Sequence, residues 1–244
     1  MKLFLHATSL LLLSAVGALL VQGPLTWSLG ALRLGPHTLH FDGRFDELSA
    51  LAGTTLQLLY YAVLRFSRRY LAGDPGRAHF FRNAGLFYLG GWVLLTAGTL
   101  ELFFAGWELL GLASFLLIAY APHRTRVARS ALSVFLTYRL CDVGLLMSSI
   151  LTHHLATTSS ALPLAIDLAA LPASWSTLLT LLLLLAIVGK SAQFPFLHWP
   201  ARAMEGPTVS SSLFYGGLAL HAGTVLVYRT LPTVQSSALF TGLL

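Results

Sequence analysis

A chain of 244 residues that is 56% hydrophobic and only 10% charged, with a mean hydropathy of +0.74, is excluded from the ordinary soluble domains, where about a quarter of residues are charged; it reads as an integral membrane protein. Its net charge of +6 does not argue for a nucleic-acid partner, because membrane proteins sort basic residues by side of the bilayer. A single cysteine, Cys141, and the lack of any CxxC, Walker A or GxGxxG pattern rule out an internal disulfide and leave no argument for a metal, cluster, nucleotide or flavin cofactor.

Residues 3–21 form an apolar run behind Lys2 that is long enough to span a bilayer, longer than a signal-peptide core, and are expected as the first helix. Residues 22–47 carry Pro24, Gly30, Gly35, Pro36 and Gly43, and the alternation at Thr38-Leu39-His40-Phe41 fits a small hairpin in an external loop. A second helix over residues 48–66 runs into Arg65, Arg68, Arg69, Asp74, Arg77 and Arg82; five arginines against one aspartate mark that loop as cytoplasmic. Helices over 83–99 and 101–120 follow with almost no loop and are expected as antiparallel neighbours. Another basic break, with Arg124, Arg126 and Arg129, precedes a helix over 130–151. The loop 152–174 holds Asp167 and no lysine or arginine, which places it outside. Helices over 175–190 and 209–228 complete a count of about seven, and the apolar residues 231–244 read as the cut-off start of an eighth. With Arg202 inside, and Arg33, Arg44 and Arg229 outside, the charges favour a cytoplasmic N-terminus. The expected fold is therefore an all-α multi-pass bundle, organised as N-terminal helices and loop (1–82), a five-helix unit (83–230) and the start of a further helix (231–244).

The stretch GKSAQFPFLHWPARAMEGPT, residues 189–208, follows one of the most apolar runs in the chain, yet opens on Lys190 and contains Pro195, Pro200, Gly206 and Pro207. Each proline lacks an N–H and crowds the preceding turn, so the helix is expected to be discontinuous near Lys190 to Pro200. A charged residue beside a broken helix in a hydrophobic span outlines an ion-handling site; a basic anchor at the membrane surface is the plainer alternative.

Ionisable residues inside spans cost a few kcal/mol each by insertion scales, so Glu108, Arg139 and Asp142 stand out with Lys190. Glu108 lies roughly 10 Å into its helix. Arg139 and Asp142, at i and i+3, share a face, either as a self-neutralising ion pair or as part of a path. His221, in the middle of the last helix, reads as a packing histidine or a proton relay. His153 and His154 are neighbours without companion ligands for a metal. The chemistry needing such residues is proton movement: a desolvated amine loses proton affinity and a nearby carboxylate restores it, so a changing distance between Lys190 and Glu108 would switch the lysine between binding and releasing a proton.

FAGWELLGLASFLLI (104–118), RLCDVG (139–144), GKSAQFP (189–195) and AMEGPT (203–208), supported by FDELS (45–49) and FSRRY (66–70), closely resemble the antiporter-like, proton-translocating membrane subunits of respiratory complex I, especially the L subunit, and of Mrp-type sodium/proton antiporters. The resemblance covers residues 39–229. It implies that Glu108 matches the family's membrane glutamate, Lys190 the lysine on the discontinuous helix and Asp142 an acidic residue of the proton path. It further implies two inverted repeats of five helices, a bacterial inner-membrane location, and partners among other membrane subunits and a soluble redox or carbon-uptake subunit. The chain would then be a non-redox subunit of an NADH:quinone oxidoreductase-like complex. Tyr215 departs from the usual histidine, FYGGLALHAG (214–223) resembles divergent relatives outside complex I, and the second repeat is missing. Cation/proton exchange, inorganic-carbon uptake and a non-conducting scaffold remain the other readings.

Overall fold

The computed structural model describes residues 2–35, 37–121, 123–155, 173–216 and 218–234. Among them, helices α1 (Lys2–Gln22), α2 (Glu47–Tyr70), α3 (Arg77–Leu95), α4 (Leu100–Ile118), α5 (Thr125–Leu155), α6 (Ala173–Lys190), α7 (His198–Ala203), α8 (Thr208–Gly216) and α9 (Leu218–Val234) run in order, with strands β1 (Leu25–Leu34) and β2 (His37–Phe45) between α1 and α2. The all-α expectation is thus corrected at one place. The alternating segment after Gly35 pairs antiparallel with residues 25–34, from Leu25 opposite Phe45 to Leu34 opposite His37, because its period of two suits a pleated surface and not a helix. The fifth expected helix also starts earlier, at Thr125, since the arginines that follow are good helix formers and keep their charges at the surface. Expected loop residues 156–172, with Asp167, and residues 235–244 lie outside the described residues.

α3 and α4 form a tight antiparallel pair. Glycines permit the approach: a Cβ on Gly90 would fall 2.8 Å from the backbone nitrogen of Leu110, and one on Gly106 would fall 2.5 Å from that of Leu94. The hairpin caps their turn. Arg44 donates its N–H to the Thr96 carbonyl (2.7 Å), Gly98 donates to that of Asp42 (2.8 Å), and the Thr99 hydroxyl donates to that of His40 (2.8 Å). α5 then packs on α4, α6 on α5, and α9 on α6, α3 and α4. Phe80, Phe87, Phe103, Trp107, Leu110 and Leu213 fill the common core.

α1 is tied on by polar contacts. Gln57 Nε2 donates to Thr8 Oγ1 (3.1 Å) and Ser9 Oγ (2.9 Å), while the Tyr88 hydroxyl donates to Gln57 Oε1. Large apolar side chains face outward on most helices, among them Leu51, Leu58, Leu89, Leu132, Leu136 and Leu140. α4 and a stretch of α5, Thr125–His154, are long and apolar enough to cross a membrane.

This winding gives the molecule two ends. One holds the end of α2, the starts of α3 and α5, and α7, and with them nine arginines from Arg65 to Arg202. The other holds the hairpin and the end of α9. There Asp46 caps α2 by accepting from Ser49 N–H (3.1 Å), and Arg229 clamps it, donating to both Asp46 carboxylate oxygens, to Ser49 Oγ (2.9 Å) and to the Leu95 carbonyl (2.9 Å). Burial disfavours the Asp46 charge, but the Arg229 hydrogen bond and charge, with Ser49, hold its carboxyl below the usual 3.8. A folded value below the unfolded one means that this stabilisation is present above about pH 4 and is lost as pH falls through the folded value. Arg229→Met should cost about 3 kcal/mol in thermal unfolding of the lipid-reconstituted protein, and should flatten the acid dependence of that stability. An unchanged acid profile would show that the clamp contributes nothing.

Candidate functional site

The seam between α4 and α5 collects the charges. The two helices are antiparallel, so residues near the start of α4 meet the end of α5 and mid-helix residues meet each other. Glu108 therefore faces Arg139, whose guanidinium binds its carboxylate directly. Arg139 Nη2 also lies 2.9 Å from Asp142 Oδ2, one turn further along α5. Trp107 Nε1 donates to Asp142 Oδ1. The opposing helix thus supplies the aspartate with both a neutral donor and a packing wall.

α6 delivers the lysine. Its last residue is Lys190, and the chain turns there with a left-handed Ala192 (φ 53°). Gln193 N–H reaches back to the Val188 carbonyl (2.9 Å), and Ala192 N–H to that of Gly189 (3.4 Å). This is the 6→1 and 5→2 pattern of a Schellman end. It leaves Lys190 fully buried, its Nζ 3.8 Å from Asp142 Oδ1, 3.3 Å from the Trp107 carbonyl oxygen and 4.8 and 4.4 Å from the ring centroids of Trp107 and Tyr138. Carbonyl, carboxylate and two π-faces together hold a cation that has lost its water.

The broken stretch locks this end. After the cis Phe194–Pro195 bond, the short α7 carries Trp199, whose Nε1 donates to the Gly189 carbonyl (2.9 Å) and whose ring meets Tyr138 edge-on at 5.0 Å. Pro200 lies within α7. Pro207 sits just before α8, its carbonyl accepting from Ser210 N–H (2.8 Å), and Gly206 packs on the end of α4, where a Cβ would lie 3.2 Å from Ile118 Cα.

Of the five ionisable residues named from the sequence, four form one chain, Glu108–Arg139–Asp142–Lys190. The pairing differs from the expected one: Lys190 meets Asp142, and Glu108 is bound to Arg139. His221 is not brought to the group. Gly223, two residues on and so about 200° round α9, faces the end of α6. His221 is exposed and lines an apolar groove of about 330 Å³ with Leu51, Thr55 and Tyr228. Sequence reasoning missed Trp107, Tyr138 and Trp199 as holders of the site. It also missed Glu101, whose Oε1 lies 2.5 Å from His153 Nε2. The signal for Trp107 was its place beside Glu108 within an apolar helix.

Interrupted helix, buried lysine and ion-paired carboxylates in an apolar bundle are features of a membrane subunit that carries ionisable groups among its helices. The chain belongs to the family described as NADH:quinone oxidoreductase/Mrp antiporter, TM, which matches residues 97–243. It is 36% identical over 230 residues to NADH-quinone oxidoreductase subunit L of Mycobacterium tuberculosis, covering 91% of this chain and 35% of that protein. It is 34% identical over 200 residues to NADH-ubiquinone oxidoreductase chain 5 of Patiria pectinifera, covering 82% and 30% respectively. The chain thus spans about a third of the length of these relatives. Its fold resembles part of the Mrp complex from Dietzia sp. DQ12-45-1b, with a TM-score of 0.78 at 23% identity over 94% of this chain and 25% of that one.

Two substitutions test the geometry. Glycine relieves a left-handed residue of roughly 1 kcal/mol or more, so Ala192→Gly should stabilise the end of α6 by about 1 kcal/mol in thermal unfolding; destabilisation would contradict the Schellman assignment. Gly111→Ala would place a Cβ 3.1 Å from Lys190 Nζ and 3.3 Å from Arg139 Nη2. In an open helix that change gains about 1 kcal/mol; here we expect a loss of about 1 to 3 kcal/mol from overpacking. A gain would mean that the lysine is free to move aside.

Proposed function

We propose that this chain is a proton-conducting membrane subunit of a larger energy-coupling complex, in which the Lys190 amine takes up and releases a proton as its carboxylate partner changes. The observation that carries the reading is the placement of Lys190: fully buried at the end of an interrupted helix, 3.8 Å from an aspartate that is itself shared with an arginine bound to a second carboxylate. The two halves of this row differ in burial. Glu108 and Arg139 keep 24% and 34% of their side-chain exposure, whereas Asp142 and Lys190 keep 4% and 1%.

A displacement of Arg139 toward Glu108 leaves Asp142 to the lysine, and a displacement toward Asp142 weakens that hold. Proton affinity of a desolvated amine follows the distance of its counter-charge, so the arginine acts as a shuttle between the Glu108 and Lys190 ends. We place the arginine-rich end in the cytoplasm, by the positive-inside rule, with the hairpin and Arg229 on the opposite side of a bacterial inner membrane and the helices as successive spans. Other membrane subunits complete the path. The driving partner, redox or carbon-uptake, is soluble and external to this chain.

Proton flux through the intact complex in proteoliposomes tests the reading. Lys190→Ala and Glu108→Gln should each lower flux by at least about tenfold, the scale of a lost proton-transfer group; flux unchanged in both variants refutes conduction through this cluster and leaves a scaffold. Sodium-dependent flux would move the assignment to cation/proton exchange.

A further inference from the structure

A second ionisable pair, a buried carboxylate with a half-buried histidine, lies on the same seam, outside the cluster just described. Glu101 is 9% exposed, one residue into α4, and its Oε1 meets His153 Nε2 at 2.5 Å; Glu101 Oε2 is buried without a hydrogen-bond partner. Glu101 and Glu108 are seven residues apart, two turns along one face of α4. Their partners on α5, His153 and Arg139, come in the reverse order because the helices are antiparallel, and stand farther apart, fourteen residues or roughly 21 Å along the axis. Each buried carboxylate of the seam is therefore set against a basic group from the other helix or its own next turn.

We propose that Glu101 and His153 form a second proton-holding station, toward the hairpin end, in series with the Lys190 cluster. The inference rests on the conduction reading for its direction, though not for its geometry. A carboxylate and an imidazole in contact hold one proton in either of two places, as carboxylate with imidazolium or as carboxylic acid with neutral imidazole. The pair thus accepts a proton on one side and yields one on the other, with no net gain in between. Asp142 and His153 are eleven residues apart, about 16 Å along α5. The buried hydroxyls of Ser148, Ser149 and Thr152 stand in that interval, with fully buried Leu145 next to Asp142. Ser149 shares the Asp142 stripe at i+7 and precedes His153 by one turn. Leu145, at i+3, is the apolar step that separates the two stations. Beyond the pair, exposed His154 follows on α5. His40, whose Nε2 is buried without a hydrogen-bond partner, lies on β2, whose His40 carbonyl holds Thr99 at the start of α4. Asp46 at that end is ion-paired with both Arg229 and Arg44.

The test uses the complete complex in proteoliposomes. Glu101→Gln and His153→Gln keep a hydrogen-bonding side chain in place, so assembly should survive. Each should lower proton flux by at least about tenfold and displace its pH profile, and Glu101→Asp should recover part of the rate. Infrared difference spectra should contain a carboxyl band that is absent in Glu101→Gln and is displaced in His153→Gln. If Lys190→Ala stops flux while Glu101→Gln and His153→Gln leave flux and pH profile unchanged, the station is refuted and conduction stands. If Lys190→Ala leaves flux intact, conduction fails, and the infrared spectra alone decide the pair: no carboxyl band that disappears in Glu101→Gln overturns the station.

Discussion

Asp142 is the contact on which the interior of this protein depends. A carboxylate removed from water must be met by donors or lose its charge. Asp142 is met from three helices: Trp107 on α4 donates a hydrogen bond, and the charges of Arg139 on its own α5 and Lys190 at the end of α6 lie 2.9 and 3.8 Å from its oxygens. The arrangement explains features that look unrelated in sequence. α6 has to stop at residue 190, so that the amine reaches the aspartate from a helix end. α7 has to carry Trp199, which ties the Gly189 carbonyl and backs Tyr138 against the lysine. A Cβ at Gly111 would lie 3.1 Å from the Lys190 amine and 3.3 Å from the Arg139 guanidinium, so a side chain there crowds both.

Much of the scaffold is written locally, and for that reason it is legible in the chain. Apolar runs set the extents of α3 to α6, with arginines at the starts of α3 and α5, and the twofold alternation at residues 38–41 announced β2. The extent of the hairpin was less visible. β1 contains Gly30 and Arg33 and has no clean alternation; it becomes a strand by pairing with β2 and closing over the α3–α4 turn, a tertiary effect that intrinsic preference does not encode. α5 likewise begins five residues before its apolar run, because arginine is as comfortable at the polar end of a helix as in a loop.

The site was legible as a set of residues and not as a set of pairs. Spacing of i and i+3 is enough to join Arg139 to Asp142, since both lie on one helix. Which carboxylate meets the lysine of α6 depends on the rotation and depth of three packed helices, and spacing holds no information on that. The same reason hid Glu101. At the start of its helix it reads as an ordinary first-turn acid, favoured there by the helix dipole, and its partner His153 is at the far end of the next helix. His221 shows the reverse error of emphasis. Mid-helix position made it conspicuous, but one face of α9 turns inward to α6 and the histidine lies on the other.

The four charges of the cluster, Glu108, Arg139, Asp142 and Lys190, alternate in sign and sum to zero when all are ionised. Charges about 4 Å apart at an effective dielectric near 20 interact by about 4 kcal/mol, so a change of protonation at one member is felt at once by the next. An odd charge is therefore costly wherever it rests, and in the proposed reading the row responds by passing it along. The graded burial gives that row a direction, from the partly open Glu108–Arg139 flank to the closed Lys190 pocket. Glu108 and Asp142 share one arginine, and in the proposed reading this lets the lysine's environment be controlled from a residue it does not touch.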